Sequence, residues 1–131
     1  DYQQLAIINR LVEIKNYTVK IIPCSISRAK DGLALSSRNA RLSENQRAIA
    51  PKIYQAISMA KHLKNNSSPK ELEKIVRYEI EKSPELRVEY VEICDDRKLQ
   101  RTQEWSETKT FRIFVAAFCG DVRLIDNEQL N

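Results

Sequence analysis

One histidine, one methionine, one tryptophan and three cysteines are a thin supply for a chain of 131 residues. The single histidine, His62, falls on a helical pattern beside Lys61 and Lys64 and reads as a surface residue. A histidine-based triad or a multi-histidine metal centre is therefore not expected within this segment. Cys24, Cys94 and Cys119 are odd in number and widely spaced, which suits neither a disulfide framework nor a zinc site. Reduced thiols in a cytoplasmic protein are the expectation. No apolar run approaches the ~20 residues of a membrane span, and no basic, apolar leader opens the chain. With Asp1 at its start and Met59 as its only methionine, the chain reads as one excised from something longer. No internal repeat or low-complexity tract is visible.

What the chain does hold is ample for a core. It is 42% hydrophobic and 31% charged, a balance that argues for packing and against disorder. The length fits one domain, or a small domain with a fragment of another. Lys and Arg number 22 against 18 acids, a net charge of +4. That mild excess suits a polyanionic small molecule or weak nucleic-acid contact. The basic residues are interleaved with Glu, so most of them read as solvated surface.

Tyr2 to about Lys15 carries Leu5, Ile8, Leu11 and Val12 at helical spacing. Thr18 to Ile22, rich in β-branched residues and stopped by Pro23, predicts a short strand. A helix, a tight connection and a strand together read as the tail of a parallel α/β unit. From Cys24 to Leu42 no periodicity holds, and long loops of this kind are usually functional or disordered. Ser43 and Gln46 form a capping box ahead of an apolar stripe from Ile49 to Leu63, with Pro51 set to kink or split the helix. Ser68, Pro69 and Glu71 open another helix, with a stripe of Leu72, Ile75, Val76 and Ile80, closed by Ser83-Pro84.

The period then changes to two. Leu86, Val88 and Tyr90 alternate, and beyond them the phase shifts to Val91 and Ile93, which a bulge would explain. Asp95 to Thr108 reads as a loop anchored by Trp105. Phe111 to Phe118 is an apolar strand, Gly120-Asp121 a hairpin signal, and Val122 to Ile125 the last strand. The fold class expected is α+β: a small helical layer on an antiparallel three-stranded sheet in residues 42–131, preceded in residues 1–41 by a helix-strand remnant of another domain.

Two stretches could carry chemistry. Asp31-Gly32-Leu33-Ala34-Leu35-Ser36-Ser37-Arg38-Asn39 sets two hydroxyls and a guanidinium on one loop. Those groups could donate several hydrogen bonds to phosphate oxygens, and Gly32 permits close approach or an unusual backbone angle. An ordinary polar turn before a capped helix accounts for the same residues. Asp1 and Gln4 lie three apart, on one side of a first helical turn, where a carboxylate and an amide could hold hydroxyls. Aspartate is favoured at a helix start in any case. Asp95 and Asp96 read as solvating a turn, and no metal ligand set is assigned.

The elements Asp1-Tyr2-Gln3-Gln4-Leu5, Asp31 to Asn39, Leu42-Ser43 and the closing Val122 to Asn127 resemble, in order and spacing, the pantothenate synthetase (pantoate–β-alanine ligase) family. The resemblance covers nearly the whole chain and corresponds to the family's C-terminal portion. It implies ATP-dependent condensation of pantoate with β-alanine through a pantoyl adenylate, in coenzyme A biosynthesis. It implies that residues 1–41 end a Rossmann-like domain that binds ATP and pantoate, and that residues 42–131 form an α+β lid. By the same resemblance Asp1 contacts the ATP ribose and Gln4 binds pantoate. Ser36, Ser37 and Arg38 bind the ATP phosphates and act in catalysis, with Mg2+ accompanying ATP. The resemblance also implies a homodimer for the full-length enzyme. Ser25-Ile26 stands where the family has Pro-Thr, and neither the family's histidine-containing phosphate-binding signature nor the lysine before its aspartate is present. This stretch alone is therefore expected to be inactive. The competing reading is a non-catalytic interaction or nucleic-acid-binding module, which would need basic residues gathered on one face with aromatics among them.

Overall fold

A computed structural model describes residues 1–130. Asn131, the last residue of the expected second domain, lies outside them. Helix α1 spans Tyr2–Ile14, α2 Glu44–Ile49, α3 Lys52–Leu63 and α4 Pro69–Glu81. Strands β1 (Leu86–Asp95), β2 (Phe111–Cys119) and β3 (Val122–Gln129) form an antiparallel sheet in the order β1-β2-β3.

Local chemistry accounts for the boundaries. The Ser43 hydroxyl accepts the Gln46 N–H at 3.3 Å, and the Gln46 side chain accepts the Ser43 N–H at 2.9 Å, a reciprocal cap on α2. Pro51 has no N–H to donate, and the chain divides there into α2 and α3. At α4 the Glu71 N–H donates to the Ser68 hydroxyl at 3.3 Å, with Pro69 at the first helical position. Asn16, at φ +52°, takes the left-handed conformation that ends α1.

The core forms between α3 and α4 on one side and the sheet on the other. Ile53, Ala56, Ile57 and Ala60 meet Leu72, Val76 and Ile80 above the inward residues of all three strands. Burying one such large aliphatic side chain contributes about 1.5–3 kcal/mol. The expected phase change in β1 is a bulge: Val88 pairs with Ala117 and Tyr90 with Ala116, so Glu89 is the extra residue. Without it Val91 and Ile93 would turn away from the core. Buried Glu73 accepts the Ile93 N–H at 2.9 Å and pairs with Arg101 at 2.5 Å, which ties α4 to β1 and the following loop. The Trp105 indole donates to the Ser67 carbonyl at 2.7 Å and meets the Phe111 ring edge-on at 4.9 Å.

Two expectations need correction. Thr18 to Ile22 forms no strand. Its residues have the right side chains, but no strand among the described residues exchanges hydrogen bonds with them, and a strand needs a partner. The last strand runs to Gln129 rather than stopping at Ile125, because Asp126 and Asn127 continue its pairing with β2. Helix α1 buries none of its residues; Ile7, Ile8, Leu11 and Ile14 are exposed. No helix among the described residues is long and apolar enough to cross a membrane.

Candidate functional site

The loop between α1 and α2 is more ordered than its sequence suggests. Residues 27–35 fold back as a small hairpin: the Leu35 N–H donates to Ser27 O and the Ala29 N–H to Leu33 O, both at 2.9 Å. Gly32 turns the chain at φ +93°, and a Cβ built on it would lie 2.3 Å from Cδ1 of Tyr54. Glycine is therefore needed twice over, for the backbone angle and for the approach of the ring. Asp31 accepts the Leu33 N–H at 3.2 Å and pairs with Arg47 of α2 at 2.6 Å. That guanidinium hydrogen bond, reinforced by the Leu33 N–H, holds the Asp31 carboxyl below the ordinary carboxylate range.

Immediately after the hairpin, Ser36 caps a short 3-10 helix, Ser37–Arg41. Its hydroxyl accepts the Arg38 N–H at 3.2 Å, and its own N–H donates to Oδ1 of Asn39 at 2.6 Å. The guanidinium of Arg38 is solvent-exposed, and no carboxylate among the described residues pairs with it. Other arginines nearby are neutralised: Arg28 by Asp126, Arg112 by Asp96, Arg123 by Glu89.

Asp1, Ser36 and Arg38 line one cavity of about 240 Å³, with Tyr54 of α3 and Leu124, Asp126 and Asn127 of β3 on its other walls. The Asp1 carboxylate also caps α1, accepting the Gln3 N–H at 3.0 Å and the Gln4 N–H at 3.4 Å. Three of the five sequence-predicted residues thus converge. The side chains of Gln4 and Ser37 are exposed, and neither residue lines this cavity or the larger one beside it. That second cavity, about 640 Å³, opens between α1, the segment from Ile22 to Arg28, and the sheet. In its wall the Arg112 guanidinium lies 3.7 Å over the Tyr2 ring and donates to Asp96 at 2.6 Å and Asn127 at 2.8 Å. Burial, then the hydrogen bond to Asp96, raises the Tyr2 phenol.

Sequence reasoning passed over Arg28 and Asp126. Arg28 donates to both Asp126 oxygens, at 2.6 and 2.9 Å, and lies 3.8 Å over the Tyr54 ring. Asp126 is buried; that burial pushes its carboxyl above the ordinary range, with Arg28 pulling the other way. One signal was available. Val122, Leu124 and Asp126 alternate inward, so an acid stands in the series of core positions. Asp95 and Asp96 turn out to be structural: Asp95 accepts the Arg97 and Lys98 N–H groups at 2.9 and 2.6 Å, and Asp96 holds Arg112.

Ser36 and Arg38 on one loop thus face a cavity together with an aspartate at a helix start. Residues 1–129 match the profile of the Pantoate-beta-alanine ligase family. The chain belongs to that family. It is 44% identical over 127 residues to a pantothenate synthetase of Bacteroides fragilis, covering 97% of this chain and 45% of the relative. To the Porphyromonas gingivalis pantothenate synthetase it is 41% identical, with the same coverage. It therefore spans about half the length of the curated relatives it matches. Among solved structures, the Thermus thermophilus pantothenate synthetase superposes with a TM-score of 0.90 at 32% identity, over 99% of this chain and 47% of that one. A Francisella tularensis pantoate-beta-alanine ligase, solved with Beta-gamma ATP and Beta-alanine, gives 0.63 at 32% identity, over 99% and 41%. The α+β fold described above, with its three-stranded antiparallel sheet, thus matches that of solved pantothenate synthetases.

Proposed function

We propose that this chain is the C-terminal part of a pantoate–β-alanine ligase and supplies one wall of its ATP site. In this reading residues 1–41 belong to the nucleotide-binding domain and residues 42–131 form the lid. The pantoate carboxylate attacks the α-phosphorus of ATP, giving pantoyl adenylate and pyrophosphate. The amine of β-alanine then attacks the acyl carbon and releases AMP. Arg38 offers a planar fork of donors and a permanent charge to oxygens that gain charge as the α-phosphorus–oxygen bond breaks. The Ser36 and Ser37 hydroxyls donate beside it, Asp1 accepts from the ribose, and Gln4 holds pantoate. In this reading Gln4 and Ser37 reach their ligands across a surface completed by the rest of the enzyme, which we take to be a homodimer.

The observation that carries the reading is the convergence of Asp1, Ser36 and unpaired Arg38 on one cavity. The nucleic-acid alternative is disfavoured by charge pairing. Arg10, Arg77, Lys82 and Arg123 each meet a glutamate on the surface, which lowers the charge those four cations could offer to a polyanion. Magnesium enters only as the companion of the ATP phosphates. The donors here do not fit a protein-held ion: Asp126 is committed to Arg28, Asp96 to Arg112, and one Asp1 oxygen to the N–H groups of α1.

The test is replacement of Arg38 by alanine in the complete ligase polypeptide. Turnover is expected to fall about 100- to 1000-fold, the scale of losing one donor to developing charge. The 131-residue chain by itself should make no pantothenate from ATP, pantoate and β-alanine. Undiminished turnover and ATP affinity in the Arg38→Ala enzyme would sink the reading.

A further inference from the structure

The Arg28–Asp126 pair joins residues 98 apart in sequence, across the boundary between the loop and the sheet. On the loop side Arg28 faces Ala34 in an isolated antiparallel bridge, and its guanidinium also donates to the Gly32 carbonyl at 3.1 Å. On the sheet side both guanidinium nitrogens reach Asp126, and Glu128 follows at 3.7 Å. Its flat face rests on Tyr54 of α3. One cation thus ties the hairpin, a core helix and the last strand together. Ser36 lies only two residues beyond the bridge, and the cavity that it lines with Arg38 is also lined by Tyr54 and Asp126.

We propose that Arg28 is a positioning residue, which registers the Ser36–Arg38 loop against β3 by clasping Asp126. The proposal rests on the ligase reading above. Arg28 is poorly suited to binding phosphate itself, because its guanidinium is already engaged by both Asp126 oxygens, with Glu128 close by. Its side chain is 15% exposed and that of Asp126 only 5%, so the clasp is a fixed strut rather than a surface pair. A bidentate fork sets distance and orientation together, whereas a lysine ammonium sets distance alone. Nucleotidyl transfer is sensitive to that difference, since a shift of about 1 Å in a positioning group costs ~100-fold in rate.

The experiment uses the complete ligase polypeptide with Arg28→Lys, Asp126→Asn, Arg38→Ala and the double variant Arg28→Lys/Arg38→Ala. Lysine keeps the buried carboxylate compensated, and asparagine keeps its shape and one acceptor, so at least one single variant should fold. Rates are measured at saturating ATP, with near-ultraviolet circular dichroism as the check on folding. Arg28→Lys is expected to lower kcat about 10- to 100-fold, with Asp126→Asn in the same direction. In the double variant the second change should cost little beyond Arg38→Ala, because both act through one group. Single-variant rates equal to wild type, or losses that simply multiply in the double variant, would overturn the proposal. An Arg38→Ala enzyme with full activity would instead overturn the ligase reading, so the two failures are distinguishable.

Discussion

Replacing Gly32 by alanine would put a methyl carbon 2.3 Å from Cδ1 of Tyr54, where a normal contact needs more than 3 Å. It would also ask a residue with a Cβ to hold φ +93°. The backbone part costs about 1–2 kcal/mol. Overpacking against a ring that is itself stacked on Arg28 adds about 1–3 kcal/mol, since Tyr54 cannot swing away without leaving that cation. The total, about 2–5 kcal/mol, is a large share of the stability of a small domain. Urea unfolding reads it directly: with a slope of ~1.5 kcal/mol per molar, the midpoint should drop by roughly 1–3 M at unchanged slope. Tyr54→Ala in the same background removes the steric part and leaves the backbone part. The double variant should therefore recover about 1–3 kcal/mol relative to additivity. A Gly32→Ala midpoint within ~0.3 M of wild type would refute the account.

Thiol reactivity offers a second check. Burial, helped by the nearby charges of Glu92 and Glu73, pushes Cys94 up to about 11, and burial also raises Cys119. Cys24 is exposed. A thiolate-trapping reagent near neutral pH should label one cysteine rapidly in the native chain and the other two only on unfolding, and Cys24→Ser should abolish the fast phase. The third check is acid. Because Arg47 depresses the folded-state pKa of Asp31, the stabilisation is present above the unfolded value of about 4 and is lost as pH falls through the lower folded one. Melting temperatures of wild type and Asp31→Asn should therefore differ at pH 6 and converge in strong acid. A gap that widens on acidification would contradict the pairing.

The elements that proved legible carry their signal locally. Ser43 with Gln46, and Ser68 with Pro69 and Glu71, announce helix starts through side chains three residues apart. The phase slip after Tyr90 announces the bulge, because burial of Val91 and Ile93 demands it. The Asp31-to-Asn39 string stood out through its resemblance to the family rather than through local chemistry, and its division of labour did not show in the sequence: Asp31 and Gly32 are structural, while Ser36 and Arg38 face the cavity. What stayed hidden depends on partners distant in sequence. Nothing local to Arg28 foretells Asp126. Nothing local to Thr18–Ile22 shows that its β-branched residues go unpaired.

The placement of Trp105 has a practical consequence. Its indole is pinned by Ser67 and Phe111 at the far end of α3 and belongs to neither cavity wall. As the chain's sole tryptophan, it makes ultraviolet emission a gauge of whether the sheet and its helices are assembled. Occupancy by a nucleotide should leave that emission unmoved, so titrations need a reporter placed elsewhere.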